Sequence, residues 1–525
     1  MMKRILSVML ALVLLLGVMP MAAAMADDMI TLKVGVYERG NTTNTYGTAT
    51  DNYWTRWMQS EFGDPNNIKL EYIPIPRAED TAKINTMMAS GTAPDIIFSY
   101  DTNMILGYGR DGGLTDLGDL IEEYGPNIKE NLKDSLPYGV YKGTQYAVPA
   151  LRSMIGRYTN FIRKDWLDAK GIELEVNEDG FYHMSVEDYE KLVYDAKSWD
   201  IDETGMEMYP VGLAGAHYAT QTMPLIFAFV DKAQVTEEMV ASTPQMMWPG
   251  FKEGVRFLNK LYNDKLIDPD FMVDTDTALP SLNAMVSTGR TLSMPQDDMY
   301  KDGIIALYET KPEAEFVGLQ IDNIHGEQIV NVYQPIGMFI AVPATCKNPE
   351  AAVKYIDFLA DLDTYKVLAH GFEGVHYNTV DGEPQVIAYT EEEIKNGEGL
   401  ERITCGDMNL AYNGSPLGYK NVPAKPTVPY IRAAELYDIT REMSKVGGVA
   451  DYFFAGIKTE AQEMYEGLIT NLDDKHPLAM LISAPADQFD AMYDAEMNKW
   501  LEQGGQEIID QKLELYKELE AAKAQ

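Results

Sequence analysis

The sequence predicts an α/β protein built as two lobes, and three observations carry that expectation. Between Ile30 and Phe98 the chain alternates strand-type and helix-type patterns, the order that builds a parallel sheet. A second run of the same kind opens near Arg152–Ile162. A chain of 525 residues is also longer than one hydrophobic core usually organises, and so calls for two.

Residues 1–26 read as a secretory signal. Lys3 and Arg4 precede an apolar run from Ile5 to Met19, and Ala24-Met25-Ala26 offers a small-residue cleavage site. No cysteine stands at that site, so the expectation is an exported protein, periplasmic or extracellular, that is not lipid-anchored. Ile30–Val36 alternates apolar and polar residues as a half-buried strand does. Trp54, Trp57 and Met58 share a helix face that reads as core packing, and Leu70–Pro74 reads as the second strand. From Ala78 the chain forms an amphipathic helix with Ile84, Met87 and Met88 on one side and Gly91 as its stop. Ile96-Ile97-Phe98 is too short an apolar run for a helix and reads as a buried strand. It empties into Tyr100, Asp101 and Asn103, and ligands in open α/β sheets bind beyond the carboxyl ends of the strands.

The second half repeats the grammar. Arg152–Ile162 reads as a strand carrying Arg152, Arg157, Tyr158 and Asn160, and Ser185 caps a helix whose buried stripe is Tyr189, Leu192, Val193 and Ala196. Phe251, Val255, Leu258 and Leu261 mark another helix, and Leu292–Asp298 a short strand that delivers Met294 and Asp297. Ile336–Pro343 is a strongly apolar strand, and Asn348-Pro349 starts a helix through Val353, Ile356 and Leu359. Gln488–Lys523 reads as two packed helices.

Several patterns suggest chemistry and fall short of it. Gly107–Gly112 matches GxGxxG but does not run from a strand into a long helix, so it reads as a helix stop and turn. Asp200, Asp202 and Thr204 begin like a calcium loop with Gly205 at the sixth position, yet Met208 and Val211 stand at the ninth and twelfth. Glu373, His376 and Tyr377 sit in a glycine-rich stretch that reads as a polar turn lining a cleft rather than a metal site. Cys346 and Cys405 allow either one disulfide or two thiols. No nucleophile elbow, zinc-protease or phosphate-loop motif is present. A formal net charge of -38 opposes binding to nucleic acid or an anionic membrane face. The 32 tyrosines, 16 phenylalanines and 6 tryptophans supply flat faces of the kind that stack on sugar rings.

The stretches KINTMMASGTAPDIIF, GGLTDLGDLIEEYGPNIKENL, YAVPALRSMIGRYTNFIRKDWLDAKGIEL, EGVRFLNKLYNDKLIDPDF, IAVPATCKNPEAAVKYIDFLAD and GFEGVHYN resemble, in order, the family 1 extracellular solute-binding proteins of ABC importers, the group that binds carbohydrates and oligosaccharides. The resemblance implies a periplasmic-binding-protein-like fold of type II with a hinge and a ligand cleft. Lobe 1 would comprise 27–149 and 340–380, and lobe 2 would comprise 150–339 and 381–525, with crossings near Pro149-Ala150 and Pro335–Val342. It implies a monomer that binds a carbohydrate, hands it to membrane permease subunits and catalyses nothing. It places Asp101 as a sugar-binding carboxylate of the first lobe, with Tyr218, Thr220 and Gln221 opposite and Met294 where a stacking tryptophan often stands. The cleft set is then Tyr100, Asp101, Asn103, Arg152, Tyr158, Tyr218, Gln221, Met294, Asp297, Glu373, His376 and Tyr377. Calcium would be the one possible cofactor, and a secreted carbohydrate-active enzyme or a receptor for a peptide or other solute the alternatives.

Overall fold

The computed structural model describes residues 29–39, 47–152, 158–214, 221–273, 279–297, 302–332, 335–397, 408, 410, 427–443, 446–449, 459–465 and 476–523. Its strands are β1 (Ile30–Glu38), β2 (Ile68–Pro76), β3 (Ile97–Ser99), β4 (Val140–Tyr141), β5 (Thr144–Gln145), β6 (Ala147–Leu151), β7 (Tyr158–Arg163), β8 (Glu175–Val176), β9 (Tyr182–Met184), β10 (Ser293–Asp297), β11 (Phe316–Ile321), β12 (Val330–Asn331), β13 (Ile336–Ala341), β14 (Tyr377–Val380), β15 (Glu383–Val386) and β16 (Gly448–Val449).

The alternation of β1 buries Leu32 and Val34, and β1 pairs in parallel with β2 from Ile30 opposite Ile68 to Glu38 opposite Pro76. Gly35 N donates to Ile96 O at 2.9 Å, which sets β3 beside β1. The helix Asp80–Ala89 between β2 and β3 stops at Gly91, whose φ of 68° is one that glycine adopts without strain. β13 pairs antiparallel with β3 on one side and β6 on the other. Its uniform apolarity has a physical cause. Met338, Ile340 and Val342 face one buried cluster while Ile336, Phe339 and Ala341 face another, so neither side of the strand meets water.

The second sheet runs β10-β7-β11-β9-β8. It too is covered on both faces: Ile162 of β7 lies in one buried cluster and its neighbour Phe161 in a second. Ser185 caps the helix Val186–Ala196 by accepting from Asp188 N at 3.1 Å, and that helix buries Tyr189, Leu192, Val193 and Ala196. The helices Phe489–Trp500 and Gln506–Lys523 lie at the C-terminal end and bury Tyr493, Trp500 and Ile508 against the same core.

Among the described residues the chain passes between the two cores three times. Residues through β6 pack in the first core and residues from β7 in the second; β13 returns to the first; and Met408 and Leu410 still belong to the first before Ala433 joins the second. Met408 and Leu410, in the stretch after 380 expected in the second lobe, pack in the first core. The passes are tied to one another: Leu151 stands opposite Ile336, Arg152 N donates to Pro335 O at 2.9 Å, and Leu151 N donates to Leu410 O at 2.8 Å. Backbone bonds between neighbouring crossings tie the connections between the two cores to one another.

Candidate functional site

Three parallel strands end on the same edge of the first sheet, and the residues just past their ends converge. Arg39 stands after β1, Arg77 after β2, and Tyr100-Asp101 after β3. The rings of Tyr37 and Tyr100 lie nearly parallel, 6.1 Å apart with an interplanar angle of 18°. Tyr37 is held in place because its hydroxyl lies 2.7 Å from Asp80 Oδ2 and 3.0 Å from Phe98 O, two acceptors that compete for its one proton. Burial, reinforced by the Asp80 carboxylate, pushes the Tyr37 hydroxyl well above its ordinary pKa, so it remains a donor. The Arg77 guanidinium straddles the ring pair, 5.2 Å from the Tyr37 centroid and 4.8 Å from that of Tyr100.

Asp101 caps the helix Thr102–Arg110: its Oδ1 accepts from Met104 N at 2.9 Å and its own N donates to Ser99 Oγ at 3.0 Å. This carboxylate is thus shared between a structural duty and the open space beside it. That space is a cavity of about 350 Å³ lined by Thr81, Asn85, Asp101, Asn103, Arg110, Tyr141 and Glu463 among others. Glu463 comes from the helix Glu460–Met464, whose Ala461 packs in the second core, and it meets Arg110 Nη1 at 2.9 Å. The cavity is therefore bordered from both cores, and of the expected cleft residues Asp101 and Asn103 line it while Tyr100 stands in the ring stack next to Asp101.

The other expected residues separate. Arg152 lies at the tied crossings, and Tyr158 stands opposite Asp297 in the β7–β10 ladder, packed against the second core. Met294 is fully buried with Phe161 in a hydrophobic cluster, which removes it from any ligand surface: its strand is covered on both faces. Gln221 is 3% exposed and its Oε1 has no partner among the described residues. Two further amides share that condition: Asn160 at Nδ2, which the Arg152–Ile162 strand reading named, and Gln296 at both side-chain atoms. Tyr218, Thr220 and Arg157, the side chain of Asp297, and Cys405 lie outside the described residues.

His376 is not a cleft group. It is 5% exposed, its Nδ1 accepts from Phe372 N at 2.9 Å, and its ring lies 5.9 Å from Tyr53 in an aromatic cluster with Phe372 and Trp54. Glu373 is exposed and accepts from Thr379 N at 3.2 Å, and Tyr377 sits at the start of β14 with its ring 6.2 Å from that of His370. Cys346 is a free, half-buried thiol that burial pushes up to about 12.

The loop opened by Asp200 does not fit a calcium ion. Asp200 Oδ1 accepts from Thr204 N at 2.7 Å and Thr204 Oγ1 at 3.1 Å, and its Oδ2 accepts from Gly205 N at 3.1 Å. Asp202 turns inward instead, with Oδ2 at 3.2 Å from Arg163 Nη1 and 3.1 Å from Lys311 Nζ, while Oδ1 accepts from Trp166 Nε1 at 3.2 Å. Burial works against the charge of Asp202, yet Arg163 and Lys311 hold its carboxyl below the usual range. Met208 and Val211, where the later ligands of such a loop belong, are buried apolar side chains. Among the described residues no group of three His, Cys, Asp or Glu side chains is placed to hold a metal.

Tyr37, Arg39 and Arg77 were missed in the sequence, although the rule that singled out the residues after β3 applies equally to the ends of β1 and β2.

Known proteins share this architecture. The chain superposes on a solute-binding protein of an S. pneumoniae ABC transporter, FusA in complex with kestose, with a TM-score of 0.64 and 16% identity over 94% of this chain and 100% of that one. It superposes on the alginate-binding protein AlgQ2 with a TM-score of 0.61 and 17% identity, covering 94% and 98% of the two chains. At these identities the likeness establishes the two-lobed solute-binding fold. In sequence it is 21% identical to the polygalacturonan/rhamnogalacturonan-binding protein YtcQ of Bacillus subtilis over 482 residues, 86% of each chain. The family model for bacterial extracellular solute-binding proteins matches residues 57–373. With more than half its length matched and the two-lobed fold in place, this chain belongs to the bacterial extracellular solute-binding protein family.

Proposed function

We propose that this protein is the extracytoplasmic receptor of an ABC importer for an oligosaccharide. The observation that carries the reading is the convergence of Tyr37, Arg77, Tyr100 and Asp101 at the ends of three parallel strands, beside a cavity bordered by residues from both cores. A flat tyrosine face with carboxylate and guanidinium groups around it suits a sugar, whose rings offer apolar faces and whose edges offer hydroxyls. The relative YtcQ, which spans 86% of this chain, carries a polysaccharide in its name and supports the same ligand class.

In this reading one lobe comprises the chain through Leu151 with 336–380 and, beside them, Met408 and Leu410, and the other comprises the chain from Tyr158 to Val332 with the C-terminal chain from Ala433. The ligand touches both, so it binds the closed arrangement better and shifts the population toward it. The signal at 1–26 sends the protein out, permease subunits accept the closed form, and the receptor acts as a monomer without turnover or cofactor.

Isothermal titration of the purified mature chain with a panel of oligosaccharides and oligopeptides tests the reading. Saturable heat with at least one oligosaccharide, and intact sugar recovered afterwards, is expected. Binding of peptides alone, or a cleaved sugar, overturns it.

A further inference from the structure

The stacked tyrosines are flanked by two guanidiniums rather than one. Arg39 Cζ lies 5.6 Å from the Tyr37 centroid and 6.0 Å from that of Tyr100, and Arg77 Cζ lies 5.2 Å and 4.8 Å from the same two centroids. Each cation therefore faces both rings, at a place where the strand ends aim them together. The global charge of -38 makes this local excess of arginine conspicuous. A sugar with no charge has no need of it.

The bonding of Arg77 shows which donors are still available. Its Nη1 meets Asp80 Oδ2 at 3.2 Å, and Asp80 already accepts from the Tyr37 hydroxyl. Its Nε is shielded from solvent and meets no acceptor among the described residues. Among the described residues Asp80 thus engages the guanidinium at one end only, and Nε on the other edge meets no acceptor. That edge of an arginine takes a planar carboxylate with two parallel bonds. Asp101 does not satisfy it, because that carboxylate accepts from Met104 N at 2.9 Å and from Thr81 Oγ1 at 3.5 Å.

We propose that the Tyr37–Tyr100 face, with Arg39 and Arg77, selects oligosaccharides that carry carboxylates, with Arg77 receiving a uronate carboxylate and Tyr100 backing the sugar ring. This rests on the receptor reading above and narrows its ligand class. The carboxylate engages the edge of Arg77 that Asp80 leaves unbonded, and Arg39 adds a second positive charge across the same rings. The repulsion expected from the acidic surface is screened beyond about 8 Å at physiological salt, so the local charge decides.

Calorimetric titration with tetragalacturonate, its methyl ester and the neutral maltotetraose separates the possibilities. Tetragalacturonate binding at least about tenfold more tightly than its ester is expected from a charge-assisted, two-bond contact. Arg77→Gln should abolish that preference, lowering the affinity for tetragalacturonate by more than it lowers that for the ester. Arg39→Gln, which leaves the Asp80 pair untouched, should reduce the preference in part, by less than Arg77→Gln does; thermal melts identify any variant that fails to fold. Equal affinity for acid and ester, or binding of maltotetraose alone, overturns the charge selection and leaves the receptor reading standing. Silence with all three sugars while peptides bind overturns both.

Discussion

Arg163 and Arg77 stand in clusters of the same three residue types, an arginine, an aspartate and an aromatic ring, and their fates differ. Arg163 lies 4.3 Å from the Trp166 centroid with its side chain 1% exposed, and it is bonded to Asp165 at 2.6 Å and Asp202 at 3.2 Å. Burial alone would lower its pKa, and the two carboxylates override that and hold it raised. Arg77 lies 4.8 Å from the Tyr100 centroid with its side chain 35% exposed, one carboxylate at 3.2 Å, and an Nε that meets no acceptor among the described residues. Composition therefore does not separate a strut from a site. The separation lies in whether the bonding capacity of the group has been consumed.

That contrast can be broken by substitution. The largest effect is expected at the strut. Asp202→Ala strips a charge partner from a guanidinium that has no access to water, and breaking a buried pair in this way costs about 3 to 5 kcal/mol. Denaturant melts of wild type and variant measure it, and a loss under about 1 kcal/mol would erase the distinction drawn between the two arginines.

Next comes Asp101, where structure and binding overlap. Asp101→Ala should lose about 1 kcal/mol of stability with the helix cap and a further 1 to 3 kcal/mol, roughly, of ligand affinity. Asp101→Asn keeps an acceptor for Met104 N and should lose affinity alone. If the asparagine variant binds as wild type does, Asp101 is a cap and nothing more.

A smaller effect tracks pH. The folded carboxyl of Asp202 lies below its unfolded value of about 3.9, so its contribution is present above that value and disappears as pH falls through the folded pKa. Asp202→Asn should therefore show a shallower loss of stability between about pH 5 and pH 2 than wild type in melts across that window. Parallel curves would mean that other carboxylates govern the acid limb.

The smallest effect is expected at the cavity rim. Arg110 and Glu463 join the two cores at 2.9 Å, but their side chains are 42% and 50% exposed. Arg110→Gln should change ligand affinity less than about threefold, since exposed pairs contribute little. A larger change would make this contact a working latch.

Much of the fold was legible because it derives from periodicity. The alternation in β1, the glycine stop at Gly91 and the serine cap at Ser185 are local, and local sterics enforce them. The apolar run of β13 was legible as a strongly apolar strand, and the structure buries both of its faces. The site was legible in part. Tyr100, Asp101 and Asn103 come from a strand-end rule, and the same rule, applied to β1 and β2, would have reached Arg39 and Arg77. Met294 and His376 could not be placed from their neighbours in sequence: an apolar residue in a short strand and a histidine between glycines each have two environments open to them, and packing chooses.

By itself, the sequence determined the order of strands and helices, the need for two cores and the polar character of the strand ends, since these depend on interactions a few residues long. Tertiary structure alone decided which crossing lies beside which, where Leu151, Pro335 and Leu410 meet. It alone set Asp202 against Lys311, a partner 109 residues away, and left Arg77 Nε without an acceptor among the described residues. The physical reason is that the satisfaction of a polar group is a property of everything packed around it. Those neighbours are brought together by chain closure over long distances, which no local pattern records.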